Sequence, residues 1–296
     1  MRAGPKMANA TTQSARLRAK TRPENAKTSA PSRAHDGVTS LVRLLAILDL
    51  FTPAAPAWST NALIRAVGMS RSTSYRYIKA MTDVELLAPV SNGHYILGPR
   101  ILELDLQIRQ CDPLYNAAGA VMKRLVQVTG YSSLLYALFS SSVQCVREEL
   151  TANSPPHLFG RGQRRPLFRG AASKIILPYL RPHQLKSLYA KHAKTIATSG
   201  LGSDWASFRA NLAKIRHAGF VTTVGEINPG VVGVSAPIFN RSGQILGSIG
   251  IAGLESQFDR AEIERVSVLV RQTAAEMSER IGVISVGTDR PARAVG

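Results

Sequence analysis

The sequence is poor in cysteine, in acidic residues and in long apolar runs, and each shortage removes a class of protein. Its two cysteines, Cys111 and Cys145, are too few for a disulfide framework and lack the C-x-x-C spacing of a zinc site. No apolar run approaches the roughly 18 residues that a membrane-spanning helix needs. The basic N-terminus lacks the apolar stretch of a secretory signal, so a cytoplasmic protein with no membrane partner is expected. No G-x-S-x-G, H-E-x-x-H or P-loop pattern occurs. The six histidines (His35, His94, His157, His183, His192 and His217) are scattered without metal-ligand spacing. No catalytic residue, metal or cofactor is therefore expected, and the chain is read as a protein that is not an enzyme.

What is abundant is positive charge. The 296 residues carry 37 Lys+Arg against 19 Asp+Glu, a net charge of +18, and such an excess favours polyanionic partners, nucleic acid first. Residues 1–35 alone hold eight basic residues and one acidic residue. They show no apolar periodicity, so a disordered basic tail is expected there, with Met7 as a second candidate start. A flexible C-terminal tail is expected over residues 284–296.

From Thr39 the pattern turns helical, with Leu41, Leu44, Leu45, Leu48 and Phe51 at three- and four-residue spacing. Pro53 and Pro56 force a loop. Ser59 or Thr60 caps a short helix through Val67 that Gly68 ends, and Ser70 caps another through about Asp83. Two short strands follow, Leu86–Val90 and His94–Leu97, joined across Asn92-Gly93, a strong hairpin signal. Residues 36–98 thus follow the winged helix-turn-helix plan. Residues 99–112 read as a linker helix through Ile101, Leu104 and Ile108. Over 113–283 helices are expected to Gly130, at Ala171–Leu180, at Asp204–His217 and at Arg260–Ile281. They flank strands at Ser132–Phe139, Val143–Glu148, Phe220–Gly225, Gly233–Asn240 and Gln244–Ile251. Helices against a mainly antiparallel sheet make the fold class α+β.

On the helix after Ser70, the 100° step places Thr73, Tyr77, Ala80, Met81 and Val84 on one side. Arg71, Ser72, Tyr75 and Lys79 fall opposite, flanked by Arg76. Arg can pair bidentately with guanine, Ser, Thr and Tyr can bond bases or phosphates, and Lys supplies a phosphate contact. His94 sits on the wing, within reach of a duplex. The bland alternative is an ordinary amphipathic surface helix; the capped helix before it and the Asn-Gly wing after it favour double-stranded DNA.

At this point the chain resembles the IclR family of bacterial transcriptional regulators over roughly residues 38–283. The carriers are Leu41-Val42-Arg43 with Ile47-Leu48, Val67 through Arg76, and Tyr95-Ile96-Leu97-Gly98. In the second half they are Arg165-Pro166-Leu167, Gly170-Ala171-Ala172-Ser173-Lys174, Ala218-Gly219-Phe220, Gly225-Glu226 and Val234 through Asn240. The resemblance implies a GAF-like effector-binding domain, a homodimer or homotetramer, and a small organic or aromatic acid as effector. By the same resemblance Gly170, Ala171, Thr223, Gly233, Gly250 and Ala252 line the effector pocket, with Glu226 beside them.

Two departures bear on the ligand. Thr223 stands where the family usually has Asp or Ser, and Gly233 where it usually has Cys, Ser or Ala. Positions matching Gly250 and Ala252 are Ser in a glyoxylate-responsive member. Smaller, less polar residues suit a bulkier acid; the alternative is that these glycines serve strand packing alone. Likewise the backbone N–H groups at Gly170 and Ala171 either receive a carboxylate or merely open a packed helix. Glu226 is either a pocket acid or a structural contact of its turn. The rival reading is an enzyme acting on a small metabolite through the C-terminal domain, and the lack of a paired nucleophile and base stands against it.

Overall fold

The structure is a computed structural model that describes residues 39–140, 142–155 and 160–283. The tails expected at 1–35 and 284–296, with Met7, His35 and His157, lie outside the described residues. The described residues form two compact units that divide between Leu97 and Gly98.

The first unit runs α1 (Thr39–Ala46), β1 (Trp58–Ser59), α2 (Thr60–Val67), α3 (Arg71–Asp83), β2 (Leu87–Val90) and β3 (His94–Leu97). The side chains of Ser59 and Ser70 accept the Ala62 and Thr73 N–H groups, each at 3.3 Å, caps worth about 1 kcal/mol apiece. Gly68 ends α2 at φ 66°, the left-handed conformation that only glycine adopts at little cost. Ile47, Leu63, Ile78, Met81 and Leu87 form the core. A two-residue β1 joins β2 and β3 in a three-stranded antiparallel sheet of order β1-β3-β2; a strand that short has no periodicity to read.

The second unit runs α4 (Arg100–Cys111), α5 (Pro113–Thr129), β4 (Ser132–Phe139), β5 (Ser142–Glu149), β6 (Arg164–Arg165), α6 (Ala171–Lys174), α7 (Pro182–Thr198), α8 (Trp205–Ala218), β7 (Val221–Val224), β8 (Val231–Phe239), β9 (Ile245–Leu254) and α9 (Arg260–Val283). Its six strands pair antiparallel in the order β6-β5-β4-β9-β8-β7. The period of two sorts their side chains. Leu135, Val234, Ala236, Ile249 and Ile251 pack with α5 and α9 on one face. Leu134, Tyr136, Cys145, Val221 and Ala252 meet Ala171, Ala172, Ile175 and Ile176 on the other.

Two expectations for this unit need correction. The helix expected over Ala171–Leu180 is α only to Lys174 and resumes as a 3₁₀ turn at Leu177–Tyr179, where Pro178 supplies no N–H. Helix α7 was not expected at all. Its stripe of Leu185, Leu188, Tyr189 and Ile196 is helical in spacing, but of these only Ile196 is fully buried, so polar residues dilute the hydropathy signal.

The two thiols separate by environment. Cys111 is exposed, whereas Cys145 is buried, and burial, with the charge of Glu148 adding, pushes its thiol up to about 12. Because the thiolate is the nucleophile, a thiol reagent at pH 8 should label one cysteine per chain rapidly and the second only after denaturation. Two fast thiols would show that the β4–β5 face is open.

Candidate functional site

Two places concentrate the residues singled out in the sequence. The first is α3. Ser70 accepts the Thr73 N–H and donates its own hydroxyl to Thr73 Oγ1 at 2.9 Å, so Thr73 is half-buried within the cap. Arg71, Ser72, Tyr75, Arg76 and Lys79 are exposed along one side. The buried stripe differs from the helical-wheel expectation: it runs through Ser74, Ile78 and Met81, while Ala80 and Val84 are exposed. Ser74 is carried inside because its hydroxyl donates to the Ser70 carbonyl at 3.1 Å, which removes the cost of burying it.

The outer face keeps its charges available. Arg71 donates to Asn61 Oδ1 at 3.3 Å. Lys79 pairs with Asp83 at 3.1 Å with both side chains more than half exposed, a contact that water screens and that a phosphate can replace. His94 opens β3 beside the wing turn, where Asn92 and Gly93 both have positive φ. Its Nδ1 lies 3.0 Å from the Asn92 carbonyl oxygen.

The second place is a cavity of about 50 Å³ between the sheet and α6. Ala171, Thr223, Glu226, Gly233, Gly250 and Ala252 all line it, although they come from three separate stretches of chain. Strand register brings them together: Thr223, Gly233 and Ala252 form one cross-strand row, and Ser235, Gly250 and Leu134 the next on the same face. Gly170 stands just outside the lining and joins the site through its N–H, which donates to Glu226 Oε2 at 2.9 Å. The lining also includes Tyr136 and Arg165, which the sequence reading did not place at the site, although Arg165 belongs to a stretch that carries the family resemblance. Period-two alternation from Leu134 marks Tyr136. Arg165 lies on a strand too short to register, with its guanidinium 5.3 Å over the Tyr136 ring. Burial holds the Tyr136 phenol far above its ordinary value against the opposing charge of Arg165, so Tyr136 is a neutral hydrogen-bonding group at any physiological pH.

The backbone donors expected to receive an acid are already engaged. Gly170 N–H bonds the Glu226 carboxylate, and Ala171 N–H donates to Thr223 Oγ1 at 3.1 Å. The glycines also differ in kind. A Cβ at Gly233 would meet Thr223 Oγ1 at 3.7 Å and Ala171 Cβ at 3.8 Å, ordinary contacts, whereas at Gly250 it would lie 2.3 Å from both Ser235 Oγ and the Val234 carbonyl oxygen. Gly233 therefore sets the room in the cavity, and Gly250 is a packing glycine whose enlargement cannot serve as a simple ligand block.

Residues 109–279 match the family model of the bacterial transcriptional regulator IclR C-terminal domain, and residues 40–90 match the IclR helix-turn-helix domain. The chain belongs to the IclR family. It is thus a transcriptional regulator with an N-terminal helix-turn-helix domain and a GAF-like C-terminal effector-binding domain. Among relatives, the HTH-type transcriptional regulator KipR of Bacillus subtilis is 24% identical over 245 residues, 82% of this chain and 97% of KipR. The IclR of Thermotoga maritima shares the fold at a TM-score of 0.64 and 20% identity, covering 83% of this chain and 99% of its own. An IclR homolog from Microbacterium hydrocarbonoxydans, solved in complex with 4-hydroxybenzoate, has a TM-score of 0.65 at 20% identity, with 82% of this chain and 98% of that one covered. As in any IclR regulator, one half must read DNA and the other a small molecule.

Proposed function

We propose that this IclR regulator binds a double-stranded operator through the outer face of α3 and the wing, and that a small carboxylic acid in the cavity under α6 sets its affinity. The observation that carries the reading is the exposed row Arg71, Ser72, Tyr75, Arg76 and Lys79 on the second helix of a helix-turn-helix, the element that enters a major groove. It acts in the cytoplasm by binding, without catalysis or cofactor. Among the described residues no cluster of His, Cys, Asp or Glu could hold a metal, and no helix is long and apolar enough to cross a membrane. Gel shifts on the chain's own upstream DNA, with and without aromatic and aliphatic acids, test it. Failure to discriminate that DNA from random sequence would overturn it.

The working state is a homodimer or homotetramer. Leu102, Leu104, Leu106 and Ile108 on α4 are exposed, as are Leu41, Val42 and Leu45 on α1, more apolar side chain than lone surface helices leave in water. Paired units match the two-fold symmetry of a palindromic operator. Leu104→Asp with Ile108→Asp should lower the mass measured by sedimentation and weaken operator binding together. An unchanged mass would place the interface elsewhere.

Ligand occupancy reaches the linker helix through residues 160–165. Arg165 lines the cavity, and Arg161 donates to Asp105 Oδ1 of α4 at 2.6 Å and 3.1 Å. Arg161 also donates to the Val146 carbonyl and lies 4.8 Å over the Tyr115 ring of α5, so a shift of the β6 segment has a rigid path to α4. Asp105→Ala should leave ligand affinity within about twofold and abolish most of the ligand's effect on operator affinity. That effect is typically about 1–3 kcal/mol in allosteric proteins. A full ligand response in this variant would remove the contact from the coupling path.

A further inference from the structure

Helices α7 and α8 are charged almost entirely in one sense. Residues 181–219 hold seven Lys/Arg against one acidic residue, Asp204. That carboxylate is engaged in capping α8, where it accepts the Ser207 N–H at 2.8 Å. Between the two helices lies an open groove of about 540 Å³, within the roughly 300–1,000 Å³ of small-molecule sites. It shares no lining residue with the cavity under α6.

Three cations line the groove: Lys186 from α7, and Arg209 and Arg216 from α8. All three are exposed, and none forms an ion pair among the described residues. Like charges along one cleft repel one another and focus their field on what enters it. The two arginines stand two turns apart on α8, about 10.5 Å of helix rise. A single carboxylate neutralises one of the three cations. A chain of phosphates, with acceptor oxygens matched to guanidinium forks, neutralises all of them.

The walls add a place for a ring. Trp205 is half-buried in the first turn of α8, lines the groove and packs on the Tyr189 ring at 5.1 Å. Arg216 lies 5.4 Å over the ring of Tyr179, which meets Phe239 edge-on at 4.9 Å. These contacts fix the walls before a ligand arrives, which lowers the ordering cost of binding. Leu185 and Leu212 supply apolar surface between them.

We propose that the α7–α8 groove is a second ligand site of this regulator, one that takes a nucleoside diphosphate or triphosphate. The base stacks on Trp205, a contact tolerant of base identity, and the phosphate chain runs past Arg209, Lys186 and Arg216. The inference is of binding, not hydrolysis, since among the described residues no carboxylate lines the groove to activate water. The site stands apart from α3 and from the cavity under α6, so its failure leaves the proposed function untouched.

The test uses the full chain without DNA, in magnesium-free buffer, with ADP, AMP, adenosine and inorganic tripolyphosphate as probes. Calorimetry should show ADP binding at least tenfold more tightly than AMP or adenosine, and more tightly than tripolyphosphate. Arg209→Gln with Arg216→Gln should weaken ADP at least tenfold, yet melt at the wild-type temperature or above, because the change removes like charges. ADP should quench tryptophan emission, and Trp205→Phe should lose that quench while Trp58 still emits. Equal ADP affinity in the wild type and the double variant would overturn the site. Tripolyphosphate matching ADP, or emission that ADP leaves unchanged, would overturn the place of the ring. If the double variant does not fold, Lys186→Gln decides by the same comparison, with at least a threefold loss expected. A random-sequence duplex that displaces ADP, and binds less tightly to the double variant, would assign the groove to nucleic acid and overturn the ligand class.

Discussion

Gly250→Leu is expected to destabilise the effector-binding domain strongly, while Gly233→Ala leaves it as stable as the wild type. Gly250 pairs directly with Ser235 across β8 and β9, and even a single Cβ there would sit 2.3 Å from a backbone carbonyl oxygen and from Ser235 Oγ, and 3.0 Å from Ser235 Cα. Backbone atoms in the middle of a six-stranded sheet cannot retreat without breaking the ladder. Overpacking ordinarily costs about 1–3 kcal/mol, and a four-carbon side chain pressed on backbone should exceed that. Against a total stability of about 5–15 kcal/mol, this is enough to empty the native state at modest denaturant. At Gly233 the nearest atoms stand 3.7 Å and 3.8 Å away, and removing a glycine from a strand lowers unfolded-state entropy, so the change should stay within about 0.5 kcal/mol. The added methyl instead enters the cavity and should weaken binding of acids. Denaturant unfolding followed by circular dichroism checks both, and a wild-type midpoint for Gly250→Leu would refute the packing assignment.

Arg71→Ala should weaken operator binding by roughly 1–3 kcal/mol, tenfold to more than a hundredfold, if its guanidinium reads a base edge. Its fold contribution is small, because its one hydrogen bond, to Asn61 Oδ1, is exposed and long. Thermal unfolding should therefore barely change. Lys79→Ala behaves differently: it releases Asp83 from an exposed pair and removes a phosphate contact. It should weaken all sequences alike and lower the slope of log affinity against log salt by about one. Operator affinity unchanged in both variants would remove α3 from the groove.

Apart from α7 and the two-residue strands β1 and β6, the order of helices and strands was legible because local rules write it. Ser59 and Ser70 caps, the Gly68 stop and the Asn92-Gly93 turn act between residues a few positions apart. The same locality explains the errors. Ser74 reads as polar and is buried, since its hydrogen bond to the Ser70 carbonyl, four residues back, is invisible to hydropathy. Helix α7 hides because its packing partners in α8, Phe208 and Leu212 among them, lie beyond any sequence window.

For the cavity, it was the resemblance to the IclR family that grouped Ala171, Thr223, Glu226, Gly233, Gly250 and Ala252 as one site; no spacing rule within the chain joins them. What each residue does there was decided only when β7, β8 and β9 closed in register and α6 docked on their face. Gly233 and Gly250 are the same residue on adjoining strands. One opens the cavity and the other touches backbone, because their missing Cβ atoms meet different neighbours. The fate of Glu226 was settled the same way. Alone it is a carboxylate on a turn; in the folded chain it meets an ammonium 52 positions away, because a buried charge must find its partner wherever the fold brings one.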